Sequence, residues 1–304
     1  MIAESWRRSD PSLYGRFDLA YDGSKPAKLL EYNADTPTAL FEAAYFQWGW
    51  LEDCVASARL PQSADQFNSI QEALVATLAD IARHHKSLRL HLAHLSDSIE
   101  DAGLVAYLAD CTIQAGLTTT VMTIDAIGTS GSGPFVDHDS NPISVLFKLY
   151  PWEWMWTDAF SQSPSMAHTR FVEPPWKAIL SNKGILPLLW EIAPGHPNLL
   201  PSYFEDDPAR AKLSGRYARK PLYSREGSNI TLHDGDTIVD RADGPYEDGD
   251  AVWQALADMP AFDGNVPVIG SWIVGGKPCG IGIREDRSAI TKNSSRFIPH
   301  AIID

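Results

Sequence analysis

Residues 14–38 read YGRFDLAYDGSKPAKLLEYNADTPT and place two runs of β-forming residues on either side of a turn-forming cluster. β-Forming residues surround the charges from Gly15 to Tyr21, so this segment is predicted to be a strand. The cluster from Asp22 to Pro26 is typical of a turn, and the segment from Ala27 to Asn33 resumes the extended pattern. The stretch is therefore predicted to form a β-hairpin.

The charged residues of this hairpin form two rows. Side chains two positions apart on a strand point to the same face, so Arg16 and Asp18 share one row, and Glu31, Asn33 and Asp35 are expected to form another beside it. Oxygen ligands from neighbouring strands suit Mg²⁺, and an arginine in the same row suits a phosphate. The hairpin thus predicts a divalent-cation site. The alternative is an exposed strand face with solvated charges.

Composition limits the classes of partner. With 304 residues and 44% hydrophobic residues, the chain can bury a full core. Its net charge of −14 argues against binding to nucleic acid or an anionic membrane surface and is compatible with a cationic substrate such as a polyamine. Cys54, Cys111 and Cys279 have no disulfide or metal-site spacing, and no apolar run approaches the ~18 residues that span a bilayer. A cytoplasmic location is expected.

Helices and a βαβ unit follow the hairpin. Apolar residues recur at helical spacing after Thr38, where Leu40, Phe41, Ala44, Trp48 and Leu51 form the predicted buried stripe. A second helix is predicted near residues 66–85, with a stripe made of Ile70, Leu74, Leu78 and Ile81.

The segment 88–127 alternates as strand, helix and strand, which predicts a βαβ unit. Such units place ligand sites at the carboxyl ends of their strands. Glu100 and Asp101 lie at such an end. They are candidates for substrate binding, or else first-turn charges that stabilise the helix.

Two lysines and a glycine-serine turn are the next features. Lys183 opens an apolar stretch, and Lys220 lies in a strand-like run. Buried lysines need an anionic partner, and nucleotide phosphates are a common one, although surface snorkelling is the alternative. The turn from Ser224 to Asn229 predicts a flap that could close over phosphates with its backbone N–H groups.

Towards the end of the chain, a strand, the turn Gly275 to Pro278 and a second strand ending at Arg284 predict another hairpin. Trp152, Trp154 and Trp156 suggest core packing, with a carbohydrate-stacking platform as the alternative.

Several long motifs carry a family resemblance. They are RFDLAYDG, LLEYNADTPT, FKLYPWEWMW, SNKGILPLLW, RKPLYSREGSNI, GSWIVGGKPCGIGIRED and ITKNSSRFIPH. In order and spacing they resemble the synthetase domain of glutathionylspermidine synthases, and still more the stand-alone acid–amine ligases of that family. The resemblance implies an α+β ATP-grasp fold of mixed sheets with flanking helices and a β-hairpin lid. It also implies a ligase that uses ATP and Mg²⁺ to form an acyl phosphate, which an amine attacks to give an amide.

The resemblance also implies roles for individual residues. Arg16 would stabilise the transition states, within a stretch Arg16, Phe17 and Asp18 that touches ATP, and Arg284 would act at the reacting phosphate. Asp18, Glu31 and Asn33 would be the Mg²⁺ ligands. Glu100 and Asp101 match a substrate-binding pair, and Asp35 is a further expected substrate residue. The other expected nucleotide contacts are Lys183, Lys220, Gly227, Gln254, Ala289, Ile290 and Thr291.

Two departures from the family pattern bear on function. Residues 1–304 are expected to form one catalytic unit that lacks an N-terminal segment of the family, which favours the alternative of a truncated, non-catalytic ATP-binding protein. The run Asp101, Ala102 and Gly103 differs from the polar residue that relatives often carry there, so the substrates are not carried over. The acid is expected to be a small carboxylate such as a thiol peptide, and the amine one such as a polyamine.

Overall fold

A computed structural model describes residues 1–213, 215–246 and 249–303. Its α-helices are, in chain order, α1 (Ile2–Arg7), α2 (Gln47–Ala56), α3 (Ile70–His85), α4 (Ile99–Gln114), α5 (Trp152–Thr157), α6 (Ser165–His168), α7 (Lys177–Ser181) and α8 (Ile185–Ile192). A π-helical turn, Glu42–Phe46, leads into α2. Short 3₁₀ turns lie at Ile124–Ala126, Ala159–Gln162 and Pro208–Lys212.

The strands of the described residues form three larger sheets and one small pair. In chain order they are β1 (Tyr14–Ala20), β2 (Lys28–Asn33), β3 (Arg89–His94), β4 (Thr118–Thr123), β5 (Gly128–Thr129), β6 (Phe135–Val136), β7 (Val145–Lys148), β8 (Arg170–Val172), β9 (Ser202–Phe204), β10 (Arg216–Pro221), β11 (Thr231–Asp234), β12 (Thr237–Arg241), β13 (Ala251–Ala255), β14 (Val266–Val274), β15 (Lys277–Asp286) and β16 (Arg296–Ile298).

The first sheet has the order β16-β15-β14-β1-β2 and the second β12-β11-β10-β13-β9, and both are antiparallel. The third, β4-β3-β7-β8, is parallel, and β5 pairs with β6. Because parallel and antiparallel sheets occur together with helices that connect and cover them, the fold is α+β, as predicted.

The first hairpin forms as predicted and fixes the rows of charged residues. In the β1–β2 register, Arg16 lies opposite Asn33 and Asp18 lies opposite Glu31. On its other side, β1 pairs with β14, where Gly270 is the partner of Asp18. A Cβ atom on Gly270 would lie 2.7 Å from Cδ of Arg16. The glycine therefore leaves the space that the arginine side chain occupies.

The main core lies among α3, α4, the first sheet and the parallel sheet. The predicted stripe of α3 is confirmed, because Ile70, Leu74, Leu78 and Ile81 are all buried. Burial of each such side chain stabilises the fold by about 1.5–3 kcal/mol. The free cysteines Cys54, Cys111 and Cys279 are also buried.

The predicted βαβ unit is confirmed as β3, α4 and β4, with β3 and β4 parallel. Ser98 caps α4, since its Oγ accepts a hydrogen bond from the backbone N–H of Asp101 at 3.1 Å. None of the helices in the described parts of the chain is long and apolar enough to span a bilayer.

The helix after Thr38 differs from its predicted stripe. Leu40, Ala44 and Leu51 are buried, but Trp48 is 41% exposed. The π-helical turn Glu42–Phe46 holds more residues per turn than an α-helix, so it rotates the residues that follow and carries Trp48 out of the stripe. Of the three alternating tryptophans, Trp152 is fully buried on α5 and Trp156 packs against the same hydrophobic cluster, as expected for core packing, whereas Trp154 is 38% exposed.

Candidate active site

A cavity of about 320 Å³ lies between the first and second antiparallel sheets. Most of its wall is apolar and includes Leu30, Ala218, Ile230, Leu232, Leu256, Met259, Val268 and Ile290. Asp18, Glu31 and Lys220 also line it. A cavity with apolar walls and a few converging charged groups suits a small molecule with a flat apolar part and an ionised part.

Asp18 lies at the centre of a buried ion-pair network. Its Oδ1 accepts a hydrogen bond from Nε of Arg16 at 2.6 Å, and its Oδ2 accepts from Nη2 of Arg16 at 3.0 Å. Nη2 of Arg284 donates to the same Oδ2 at 2.8 Å. Asp18 is 3% exposed and Arg16 is 4% exposed, so these charges are not a solvated strand face. The structure thus brings together three of the predicted site residues from β1 and β15.

Glu31 and Asn33 join this network from β2. The Nδ2 of Asn33 lies 3.1 Å from Oδ2 of Asp18 and 3.2 Å from Oε1 of Glu31. Nζ of Lys183 lies 3.1 Å from Oε2 of Glu31 and donates to the backbone oxygen of Ser224 at 2.5 Å. Burial acts to raise the pKa of Glu31, but Lys183 and Lys220 lower it by more, so Glu31 is ionised at neutral pH.

Lys220 reaches the cavity from β10 and is buried, not snorkelling. Its Nζ donates to Oε1 of Gln254 at 2.7 Å and to the backbone oxygen of Leu30 at 3.0 Å. Nε2 of Gln254 donates in turn to the backbone oxygen of Leu29 at 3.1 Å. Burial lowers the pKa of Lys220 to about 8, with Lys183 acting in the same direction and Glu31 against it. Gln254 therefore orients the lysine and ties the two sheets together.

The loop from Ser224 to Asn229 joins β10 to β11 and closes one side of the cavity. Gly227 has φ +74°, and a Cβ there would lie 2.5 Å from the backbone oxygen of Thr291. Arg225 fixes the loop on its other side, since its Nη2 donates to Oε1 of Glu153 at 2.6 Å and its Nη1 donates to Oγ1 of Thr36 at 2.7 Å. The segment 289–291, predicted as a nucleotide contact, lies against this loop and lines the cavity.

The predicted acidic pair lies at the amino end of α4. Glu100 is exposed and Asp101 is half-buried. Burial raises the pKa of Asp101, against a lowering contribution from its hydrogen bond with Ser98. Ser98 caps α4, and Glu100 and Asp101 lie in its first turn, which agrees with the helix-stabilising interpretation of this position.

Asp35 and Phe17 lie away from the network. Strand β2 ends at Asn33, so Asp35 does not continue its row. The carboxylate of Asp35 accepts from Nζ of Lys148 at 2.9 Å and from the backbone N–H of Trp152 at 2.8 Å, and Asp35 and Lys148 are fully buried. The ring of Phe17 stacks on Tyr32 at 4.1 Å between centroids, on the face opposite Asp18.

The donor set of Asp18, Glu31 and Asn33 fits Mg²⁺. The amide nitrogen of Asn33 donates to both carboxylates, so turning this amide over would direct three hard oxygen atoms to one place. Among the residues that the structure describes, no group of three or more His, Cys, Asp or Glu side chains is placed to hold a metal. An ion bound here would therefore rely on the amide oxygen of Asn33 and on water or phosphate oxygens, as Mg²⁺ commonly does.

Some contacts of the site were not predicted from the sequence. The backbone oxygen of Thr38 accepts from Nη1 of Arg16 at 2.5 Å, and Glu153 pairs with Arg225. Because the acceptor on Thr38 is a backbone oxygen, the residue type at that position gives no sign of the contact. Glu153 could have been suspected as a site residue only because it lies within the tryptophan-rich motif from Trp152 to Trp156.

Comparison with known proteins identifies the family. The family model described as glutathionylspermidine synthase preATP-grasp matches residues 1–303, and the chain belongs to this family. A protein of Haemophilus influenzae named "Putative acid–amine ligase" is 42% identical over 311 residues, which are 100% of this chain and 78% of that protein.

A bifunctional glutathionylspermidine synthetase/amidase of Escherichia coli is 27% identical over 330 residues, 98% of this chain and 51% of that protein. The chain thus spans about half the length of this relative. A solved structure of a glutathione synthetase-like effector from Globodera pallida matches with a TM-score of 0.62 and 12% identity, over 96% of this chain and 77% of that one. This match shows a likeness of fold.

Proposed function

We propose that this chain is an ATP- and Mg²⁺-dependent ligase of ATP-grasp architecture that joins a carboxylate to an amine through an acyl phosphate. The names of the relatives, which include synthetases and an acid–amine ligase, support this class of reaction. The observation that carries the proposal is the meeting of cationic and oxygen-donor side chains beside the 320 Å³ cavity. They are Arg16, Arg284, Lys183, Lys220, Asp18, Glu31 and Asn33.

The positions of the apolar wall, the lysines and the oxygen donors suit different parts of ATP. The apolar wall would hold the base of ATP, while Lys220 and Lys183 would hold its phosphates. Mg²⁺, when bound by Asp18, Glu31 and Asn33, would neutralise charge on the phosphates during transfer.

Arg16 and Arg284 now pair with Asp18, and they would stabilise the charge that develops on the transferring phosphoryl group. No side-chain nucleophile is needed, because the acid itself attacks the γ-phosphate. Positioning and charge neutralisation then supply most of the rate enhancement.

The proposed binding site for the amine substrate is the amino end of α4. We propose that Glu100 and Asp101 attract the amine, whose ammonium form is complementary to their charge. Asp35 remains a predicted substrate residue, and its buried contacts with Lys148 and Trp152 favour an indirect part, through the loop that it holds.

The test is phosphate release by purified protein with ATP and Mg²⁺, against a panel of thiol peptides crossed with polyamines. The proposal predicts release that needs one acid, one amine and Mg²⁺ together. ATP binding with no release for any pair, in a panel extended to other small carboxylates and amines, would support the non-catalytic alternative instead. Residues 1–304 are proposed to act as one catalytic unit, so the assay uses this chain alone.

A further inference from the structure

The two carboxylates of the proposed metal site are both engaged by cationic side chains. Asp18 accepts hydrogen bonds from Nε and Nη2 of Arg16 at 2.6 and 3.0 Å and from Nη2 of Arg284 at 2.8 Å. Nζ of Lys183 lies 3.1 Å from Oε2 of Glu31. Three positive groups thus contact two negative ones, so this part of the site carries a net positive charge.

Asn33 adds to this positive character. Its Nδ2 donates to Oδ2 of Asp18 at 3.1 Å and lies 3.2 Å from Oε1 of Glu31, so the amide directs its N–H groups at both carboxylates. Because Asp18 is buried, solvent and salt screen these charges only weakly. A Mg²⁺ ion that approaches alone is repelled by the surrounding positive groups, whereas the phosphates of a nucleotide are attracted to them.

Arg16 is fixed in its place beside Asp18. Besides its two hydrogen bonds to Asp18, it donates from Nη1 to the backbone oxygen of Thr38 at 2.5 Å. Its guanidinium group lies 5.6 Å from the ring centroid of Trp272, within range of a cation–π contact. Contacts on several sides therefore hold this arginine.

Arg284 is held by fewer contacts. Among the described residues, its guanidinium group makes one hydrogen bond, from Nη2 to Oδ2 of Asp18. Its side chain is 14% exposed, against 5% for that of Arg16. Its partner on β14 is Val268, which lines the 320 Å³ cavity. Arg284 can therefore leave Asp18 for a phosphate at the edge of the cavity by giving up a single hydrogen bond.

We infer that Arg284 keeps Mg²⁺ out of the nucleotide-free protein, so that the metal binds only together with the phosphates of the nucleotide. This inference rests on the proposed function, because it takes the cavity as the ATP site. When Arg284 turns to a phosphate, Oδ2 of Asp18 loses a cationic partner and becomes available as a ligand. The phosphates also offset the charges of Arg16 and Lys183. Metal and nucleotide therefore bind with positive coupling, which is reciprocal.

The experiment measures metal binding directly, without turnover. Mn²⁺, which is bound by the same kinds of oxygen ligand as Mg²⁺, is added to the nucleotide-free protein, and the electron paramagnetic resonance signal of the unbound ion gives the affinity. Arg284→Gln removes the positive charge and Arg284→Lys keeps it. Arg296→Gln is the matched control, because it removes an arginine of the neighbouring strand β16 whose side chain is 64% exposed. Arg16 still pairs with Asp18 in each variant, so the fold is retained, which thermal unfolding checks.

Arg284→Gln should bind Mn²⁺ at least about tenfold more tightly than the parent, because a neighbouring positive charge is removed. Arg284→Lys and Arg296→Gln should bind it as weakly as the parent. The double variant Arg284→Gln with Glu31→Gln should lose the gain, which would place the bound ion at the proposed ligands.

Equal Mn²⁺ affinity in Arg284→Gln and the parent would overturn the inference, and so would equally tight binding by Arg284→Lys and Arg284→Gln. A separate titration of the parent with Mg²⁺ and the non-hydrolysable ATP analogue AMP-PNP tests the nucleotide site. If the analogue binds but the Mn²⁺ affinities are equal, the inference fails while the proposed function stands. If the analogue does not bind, the proposed function fails and the inference fails with it.

Discussion

Asp18 is the residue that balances the most buried charge in the site. Two guanidinium groups, from Arg16 and Arg284, pair with one carboxylate that is 3% exposed. Removal of one member of a buried ion pair leaves uncompensated charge, which costs about 3–5 kcal/mol. Its place beside Glu31 and Asn33 also makes it the proposed central ligand of Mg²⁺.

The variant Asp18→Asn should therefore lose both stability and turnover. We expect the free energy of unfolding to fall by about 3–5 kcal/mol, because Arg16 and Arg284 stay buried without their carboxylate. Urea unfolding and Mg²⁺-dependent phosphate release measure the two effects. Asp125→Asn, at an exposed position, is the matched control and should change neither. An unchanged unfolding midpoint in Asp18→Asn would contradict the network.

Lys220 gives the site a pH dependence. Its pKa of about 8 lies below the ordinary lysine value, so the protonated form, which is the one proposed to hold phosphate, disappears as pH rises through that value. ATP affinity of the free protein should then fall, by about 10- to 100-fold in the limit, since a charged hydrogen bond contributes about 1.5–3 kcal/mol.

Equilibrium ATP binding between pH 6.5 and pH 9.5 measures this fall in affinity. In Lys220→Met the affinity should be low at every pH and should show no decrease near pH 8. A parent affinity that stays constant across pH 8 would refute the role of Lys220.

At the residue scale, the sequence predicted the parts of the network that are close in the chain. Arg16, Asp18, Glu31 and Asn33 follow from strand alternation across a short turn. The pairing of Asp18 with Arg284, 266 positions away, depends on sheet order and could not follow from local pattern. For residues so far apart in the chain, the expected roles in the site came only from the family motifs.

The loop between β10 and β11 closes one side of the cavity that is the proposed ATP site. Gly227→Ala would place a Cβ 2.5 Å from the backbone oxygen of Thr291, and its φ of +74° adds strain. Gly235→Ala is a matched control, because its φ is +56° but a Cβ there meets no atom within 4 Å. Backbone strain should cost each variant about 1 kcal/mol of stability, and the clash should add to this cost only in Gly227→Ala.

Only Gly227→Ala should also weaken ATP binding, by at least about tenfold, because the loop must move to relieve the clash. Calorimetric binding and thermal unfolding separate the two effects. Equal ATP affinity in both variants would show that the contact between the loop and Thr291 does not shape the nucleotide site.

At the element scale, regular patterns were predicted and irregular ones were not. The α3 stripe and the β3-α4-β4 unit were predicted correctly because hydrophobic periodicity determines them. The turn Glu42–Phe46 has a π-helical geometry that depends on packing and leaves no periodic signal, so the burial of Trp48 was predicted wrongly.

In the whole molecule, one core supports the sheet that carries the site. Leu78 of α3 is buried in that core, and Leu78→Ala should lower the free energy of unfolding by about 2–5 kcal/mol through lost contacts and a cavity. Ile113→Ala on α4, at a position that is 60% exposed, should stay within about 0.5 kcal/mol of the parent. Urea unfolding of both variants, with and without ATP, checks this difference. Similar losses in the two would contradict the assignment of the core.

In the proposed reaction of the whole molecule, the acid is activated as an acyl phosphate. The most direct measurement uses an acid with ¹⁸O at both carboxyl oxygen atoms, with ATP, Mg²⁺ and the amine of the active pair, followed by mass spectrometry of the released phosphate. If the carboxylate attacks the γ-phosphate and the amine then displaces it, each phosphate carries one ¹⁸O atom for each amide formed. Amide formation with no ¹⁸O in the phosphate would contradict an acyl-phosphate intermediate.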